Sequence, residues 1–387
     1  MLIVKYNIRS LFVRKTTAVA TALGVALATL VFAASWMLAA GVTKTVGEGG
    51  RADNAIVLRK GSDAELNSNF EAQSVALISS APGVKNENGR PLATAESVMV
   101  VALPKAGGEG LSNVTLRGVT EVSYSLRSEL KIVEGQRPRP GTEEAMIGSR
   151  LRGRFAGLDL GKPVELRKNR PVTIVGVFED EGHASESEVW LDRDVLAASF
   201  GRPTTVSSVH VRLEDPGKFA AFQAAVERDK RLALDAIPEP EFLAHQSEGL
   251  SMFLTIMGTI IGIFFSAGAM LGATMTMHAA VSNREREIGT LRALGFSRRG
   301  ILIGFLVEAM TLTAIGGVVG VLLSTCLSRV KISMVNWTTW SELVFTFSPT
   351  VEILIKSVIF AAVMGLLGGV FPAYRASKVS PLAALRS

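Results

Sequence analysis

The sequence predicts a membrane protein: four transmembrane α-helices, with an α+β extracytoplasmic domain inserted between helices 1 and 2. Three observations carry that prediction. Four runs are free or nearly free of charge, a polar stretch at 44–250 separates the first from the second, and basic residues gather where the runs end. Residues 44–250 hold 26 Lys and Arg against 30 Asp and Glu, and the remainder holds 15 against 5. The overall charge of +6 therefore comes from the apolar part, as membrane topology requires. No basic-aromatic stripe accompanies it, so nucleic acid is not an expected partner.

A helix rises about 1.5 Å per residue, and a bilayer core of about 30 Å needs about 20 apolar residues. Residues 16–43 form the first span, uncharged from Thr16 to Thr43. The second, 249–281, lies in an uncharged run that would make a helix of about 50 Å, so it is expected to extend outward as a stalk. The third, 298–328, is interrupted only by Glu308 in its apolar part, and the fourth, 351–374, can be lengthened by a snorkelling Lys356. Glycines four apart (258 and 262, 268 and 272, 316 and 320, 365 and 369) let helix backbones approach closely, within one bundle or at a dimer seam.

Short basic segments precede span one (Lys5, Arg9, Arg14, Lys15), join spans two and three, and follow span four (Arg375, Lys378, Arg386). With four spans all three fall on one side, which the positive-inside rule makes cytoplasmic. Residues 1–15 then form a cytoplasmic amphipathic helix and 375–387 a cytoplasmic tail. The domain at 44–248 and the loop at 329–350 lie outside, with Trp337 and Trp340 at the membrane interface. The first run is nearly twice a signal-peptide core in length, so no cleavage is expected.

Within 44–248, strand-like runs such as "SVMVVALP" and "SSVHVRLED" alternate with short helices, in two subdomains. In the second run His210 and Arg212 alternate with Val209, Val211 and Leu213, as in a half-buried strand. Ser62 with Glu65 reads as a capping box opening one helix through Ser80, Asp194 as the start of another, and Asp215 with Pro216 as the start of a third. Cys326 is the single cysteine, so no disulfide forms within the chain. The four histidines show no metal spacing, no nucleophile elbow occurs, and "GLDLGKP" lacks the spacing of a phosphate loop. No catalytic residue and no metal site are expected, and the chain should not hydrolyse ATP.

The charged insert at 282–297, within "NREREIGTLRALGFSRRGI", reads as a short helix with fixed ends. Ser282 and Glu285 form its capping box, Ile288, Leu291 and Leu294 its apolar ridge, and Gly295 its left-handed ending. Phe296 supplies the closing contact, and Ser297 caps the next helix. A rigidly placed helix of this kind suits docking to a partner.

"NREREIGTLRALGFSRRGILIGFLVEA", the ending "GGVFPAYRASKVSPLAALR" and the stretch "LKIVEGQRPRPGTEEAMIGSRLRGRFAGLDLGKPVELRKNRPVTIVGVFEDEG" resemble MacB/LolC/FtsX-type (type VII) ABC transporter permeases, in order and over essentially the whole chain. The resemblance implies a permease subunit in a bacterial cytoplasmic (inner) membrane, with both termini cytoplasmic. It implies two copies of a separate ABC ATPase, which bind the ATP and Mg, and a second permease copy or paralogue. ATP hydrolysis there would move the extracytoplasmic domain. MacB-like export with a periplasmic adaptor and outer-membrane duct leads. LolC-like lipoprotein extraction and FtsX-like mechanotransmission to a cell-wall enzyme are the alternatives, and a membrane receptor or anchored enzyme is the reading from another class. The ATPase-coupling role falls on Arg284, Glu285, Arg286, Glu287, Ile288, Leu291, Arg292, Leu294 and Gly295. Glu308, an acid inside a span, is either a salt-bridge partner for an Arg near the cytoplasmic side or a proton or substrate site.

Overall fold

The computed structural model describes residues 15–379 apart from 109, 229 and 231, with side chains from 18 onward. The amphipathic helix expected ahead of Lys15 and the tail beyond Val379 lie outside the described residues. The chain divides into two compact units, one of Met1–Ala40, Met252–Val330 and Thr346–Ser387, the other of Gly41–Ser251 and Lys331–Phe345. Helix α1 (Lys15–Val42) continues into a single π-helical turn, Thr43–Gly47.

The second unit is α/β. Its first strands are β1 (Asn54–Arg59), β2 (Phe70–Glu71), β3 (Asn86–Glu87), β4 (Arg90–Pro91), β5 (Ala93–Pro104), β6 (Leu111–Val119), β7 (Lys131–Gly135) and β8 (Glu144–Gly148). There follow β9 (Pro163–Arg167), β10 (Arg170–Glu179), β11 (Glu188–Asp192), β12 (Thr205–Val206), β13 (Ser208–Arg212) and β14 (Leu234–Pro238). Ten of them form one mixed sheet in the order β14-β1-β13-β5-β6-β11-β8-β10-β7, with β9 beside β10. Short helices α2 (Ser74–Ser79), α3 (Glu121–Leu126), α4 (Arg193–Ser199) and α5 (Phe219–Val226) accompany it.

The two largest apolar cores of this sheet lie on different groups of strands. One holds Leu116, Ile147, Ile174 and Val189; the other holds Val57, Phe70, Ile78, Val211 and Phe222. The alternation in β13 is real, but both of its faces are buried. Val209 and Val211 enter the second core, while His210 and Arg212 point into a buried polar cluster rather than to water.

The helix expected from Ser62 to Ser80 is instead a 3-10 turn (Glu65–Asn67), the bridge strand β2 and the short α2. The reason is Glu65. Its carboxylate accepts from Arg117, Ser208 and His210 in the interior, so it does not serve as a cap. The cap of α4 is Asp192, which accepts from the amides of Asp194 and Val195, rather than Asp194 itself. Asp215 accepts from the Gly217 amide with Pro216 at the first helical position.

The long helices are α1, α6 (Glu239–Ser282), α8 (Arg298–Cys326) and α9 (Val351–Ser377), with α7 (Glu285–Ala293) between α6 and α8. All four are long and apolar enough to cross a membrane. The 44 residues of α6 make it about 66 Å long. It begins ten residues before the uncharged run, because Glu239, Glu241 and Glu248 lower the hydropathy of its first turns without breaking the helix. Pro240 sits in the first turn, where its missing N–H costs nothing.

Packing sorts the glycines. A side chain at Gly258 or Gly262 would strike Ser35 or Phe32 of α1. One at Gly316 or Gly320 would lie 2.5 Å from the Ala22 or Ala26 carbonyl oxygen of α1, and one at Gly365 or Gly369 would strike Thr313 or Ala309 of α8. Gly268 and Gly272 would meet nothing within 4 Å.

The 329–350 segment is more than a connection. It holds the hairpin β15 (Lys331–Val335) and β16 (Glu342–Thr346), most of which belongs to the α/β unit. Ser112 Oγ donates to Glu342 Oε2 over 2.6 Å, Asn113 Nδ2 donates to the Trp340 carbonyl over 2.8 Å, and the Val344 amide donates to Ser187 Oγ over 3.2 Å. Arg154 pairs with Glu342, and Arg150 donates to the Val344 carbonyl. Trp337 and Trp340 are exposed at the hairpin tip.

Candidate functional site

The charged insert is α7 with its flanks. Helix α6 runs through Ser282, so Ser282 does not cap α7; Arg284 takes the N-cap position and makes no side-chain capping bond there. Its guanidinium turns inward instead. Arg284 Nη1 lies 3.4 Å from Glu308 Oε2, and the two residues are 7% and 4% exposed. A carboxylate alone in that interior would be costly, and the arginine compensates it. Glu308 is thus paired with Arg284.

The far end of α7 closes as the sequence suggests. Gly295 has φ +95, the Gly295 amide bonds to the Arg292 carbonyl at 3.2 Å and the Phe296 amide to the Leu291 carbonyl at 3.1 Å. These two bonds are those of a Schellman ending, which only a glycine accommodates without strain. Ser297 Oγ then accepts from the Gly300 amide and starts α8.

The expected apolar ridge divides. Ile288 is 2% exposed and packs with Val281, Ile301, Phe305 and Ala376, whereas Leu294 is 72% exposed. At about 100° per residue, positions six apart point some 120° away from each other, so the two cannot share a face. Leu291 and Arg292 are half-buried, with Arg292 Nη1 3.4 Å from the Phe296 carbonyl. Glu285, Arg286, Glu287, Leu294 and Gly295 are exposed. The outward face of α7 is thus charged at its start and carries Ala293 and Leu294 at its end, with Phe296 just beyond.

A second constellation lies inside the α/β unit. Arg117 on β6 donates to Glu65, Glu96 and Glu188 at 2.7–2.9 Å, and Arg127 grips Glu96 with both terminal nitrogens. Trp190 Nε1 donates to Glu188 at 2.7 Å. His210 Nε2 lies 3.1 Å from Glu65 Oε1 and 3.6 Å from Glu96 Oε2. Burial alone would depress the imidazole pKa, but Glu96, Glu239 and Glu65 outweigh it and push it up to about 9. Burial would likewise raise Glu65 and Glu96; Arg117 and His210 for the first, Arg127, His210 and Arg117 for the second, hold both well below the usual carboxylate range. The sequence offers no hint of this cluster beyond charges at alternate strand positions.

Glu65, Glu96 and His210 bring their ligand atoms within 4.8 Å of one another, as a metal site would. Both carboxylates are already engaged by the Arg117 guanidinium, which a cation at this place would have to displace. Asp180, His183 and Ser185 do not form a nucleophilic triad either. Ser185 Oγ donates to Asp180 and His183 Nδ1 lies 3.9 Å from the same carboxylate, so the hydroxyl is directed to the acid and not to the imidazole. A cavity of about 150 Å³ beside the cluster is lined by Thr45, Arg117, Glu188, His210, Glu239 and Ser341 among others, room for a few waters.

Comparison with known proteins gives two family matches. The MacB-like periplasmic core domain matches residues 16–229, and the FtsX-like permease C-terminal family matches 251–381. The uncharacterized ABC transporter permease YvrN of Bacillus subtilis is 27% identical, across 99% of this chain and 98% of its own length. The macrolide export ATP-binding/permease protein MacB of Hahella chejuensis is 26% identical across 70% of this chain, which spans 43% of that protein. The solved periplasmic region of MacB from Actinobacillus actinomycetemcomitans aligns at 13% identity with a TM-score of 0.39, covering 51% of this chain and 92% of that structure.

Proposed function

This chain belongs to the ABC transporter permeases that carry a MacB-like periplasmic core domain and an FtsX-like C-terminal region, and from that premise we propose that it turns ATP hydrolysis on a separate ATPase subunit into motion of its α/β unit. The observation that carries the reading is the construction of α7. It is a short helix pinned inward by Arg284 and Ile288, closed by Gly295, and set directly after the helix that starts at the sheet. A helix so fixed passes a push on its outward face to the helices behind it rather than bending. Its docking face is Arg286, Glu287 and Leu294, which lie within about 100° of one another around the helix, a narrower set than the nine residues the resemblance implies.

The chain lies in a bacterial inner membrane with α7 and both termini on the cytoplasmic side, supported by the basic flanks of the spans. Two ATPase subunits bind the ATP and Mg. A second permease copy is the other partner, and the open face at Gly268 and Gly272 supports its seat there. Export is the activity that the name of the MacB relative favours, and a periplasmic adaptor and outer-membrane duct are the further partners the sequence resemblance implies. Purification of the tagged full chain from its native membrane tests the core of the proposal. An ABC ATPase and vanadate-sensitive ATP hydrolysis should elute with the wild type and be lost from Leu294→Asp. An eluate without hydrolysis, or one unaffected by Leu294→Asp, would remove α7 from the coupling role.

A further inference from the structure

The α/β unit meets its long helix without a linker. β14 ends at Pro238 and α6 begins at Glu239, and β14 is an edge strand paired only to β1, from Arg59↔Leu234 to Ala55↔Pro238. A helix of 44 residues hung from one edge strand would hinge at that junction unless something crossed it. Glu239 crosses it. Its Oε2 accepts from Asn54 Nδ2 of β1 at 2.8 Å and from the Arg51 amide at 3.2 Å, and its Oε1 lies 3.6 Å from His210 Nδ1 of β13.

The other ring nitrogen of His210 faces Glu65 of the 3-10 turn and Glu96 of β5, with Arg117 of β6 and Arg127 after α3 paired to those same acids. One imidazole therefore bridges the first residue of α6 and the charged interior of the sheet. The chain entering β1 closes on the same turn: a Cβ at Gly50 would lie 2.8 Å from the Pro240 nitrogen, so only glycine permits that approach. Phe242, one turn into α6, packs with Ile56 and Leu58 of β1. The carboxylate at the helix start also faces the positive end of the helix dipole.

We infer that Glu239 and His210 are positioning residues that clasp the start of α6 to three strands, so that β14, β1, β13 and the top of the helix move as one piece. The clasp rests on reading α6 as the transmitting helix for its purpose, but its geometry lies wholly within the α/β unit. It makes the junction stiff through charge, and it is broken by removing the charge on either partner.

Hydrogen exchange of the full-length protein, resolved by peptide, tests it. In Glu239→Gln, which keeps the shape, and in His210→Gln, amides at 234–247 should exchange about tenfold faster or more, as loss of a buried charge pair implies, a larger rise than in β6, β8 and β11. In the wild type, after correction for intrinsic rates, protection of the same peptides should fall as pH rises through 9, and Glu239→Gln should show no such step. Unchanged exchange at 234–247 would overturn the clasp, as would an equal rise across the whole unit. A lost ATPase partner with these exchange results intact would instead sink the functional reading and leave the clasp standing.

Discussion

Arg284 Nη1 and Glu308 Oε2 face each other at 3.4 Å between the start of α7 and the interior of α8. The pair joins the insert to the helix that follows it. Removing one partner leaves a buried charge uncompensated, at a cost of about 3–5 kcal/mol, whereas removing both need cost little. Glu308→Ala should therefore lower the unfolding temperature of the detergent-solubilised protein markedly, and Arg284→Met with Glu308→Leu should recover most of the loss. Equal destabilisation by the single and the double variant would show that the two charges do not depend on each other.

The two ends of the expected ridge should behave in opposite ways. Ile288→Asp buries a charge among Val281, Ile301 and Phe305 and should impair folding or insertion. Leu294→Asp changes an exposed position and should alter stability by no more than about 0.5 kcal/mol. Thermal unfolding of both variants side by side checks the assignment of faces.

Glycines in the helical unit should divide by what surrounds them. Gly316→Val would drive a side chain against the Ala22 carbonyl of α1 and should destabilise the monomer. Gly268→Val should leave the monomer folded but weaken a second copy seated at that face, read as loss of the dimer band on cross-linking in the membrane. A dimer indifferent to Gly268→Val would move the seam elsewhere.

His210 gives the α/β unit a pH dependence of definite sign. Its imidazole titrates near 6.5 when unfolded and at about 9 in the fold, so the folded state holds the proton more tightly. The stabilisation is full below 6.5 and is lost as pH rises through 9, amounting to about 3 kcal/mol from the size of the shift. Denaturant midpoints across that window should fall in the wild type and fall less in His210→Gln, where only His183, raised by its Asp180 partner, still contributes the same sign.

Much of the architecture is visible in the residues themselves. The spans announce themselves by missing charge, and Gly295, Ser297 and Asp215 mark their helix ends because local backbone needs decide there. What escapes a sequence reading depends on partners far along the chain. Glu65 looks like a cap until Arg117, Ser208 and His210 are brought to it from distant strands. Arg284 looks like surface charge until Glu308 is placed behind it. The β15–β16 hairpin reads as a loop because its hold on the α/β unit comes from Ser112, Asn113 and Ser187, not from its own pattern. Leu294 fits the apolar pattern of the insert, but its angular distance from Ile288 places it outward.

A push on the outward face of α7 should reach the α/β unit. Spin labels at Leu160→Cys, in a Cys326→Ser background and in the assembled permease–ATPase complex in nanodiscs, would report the separation between the α/β units of the two copies. The predicted result is a shift of the distance distribution on adding ATP with vanadate, absent in Leu294→Asp. Distances that stay the same with and without nucleotide, in a complex that hydrolyses ATP, would contradict the account.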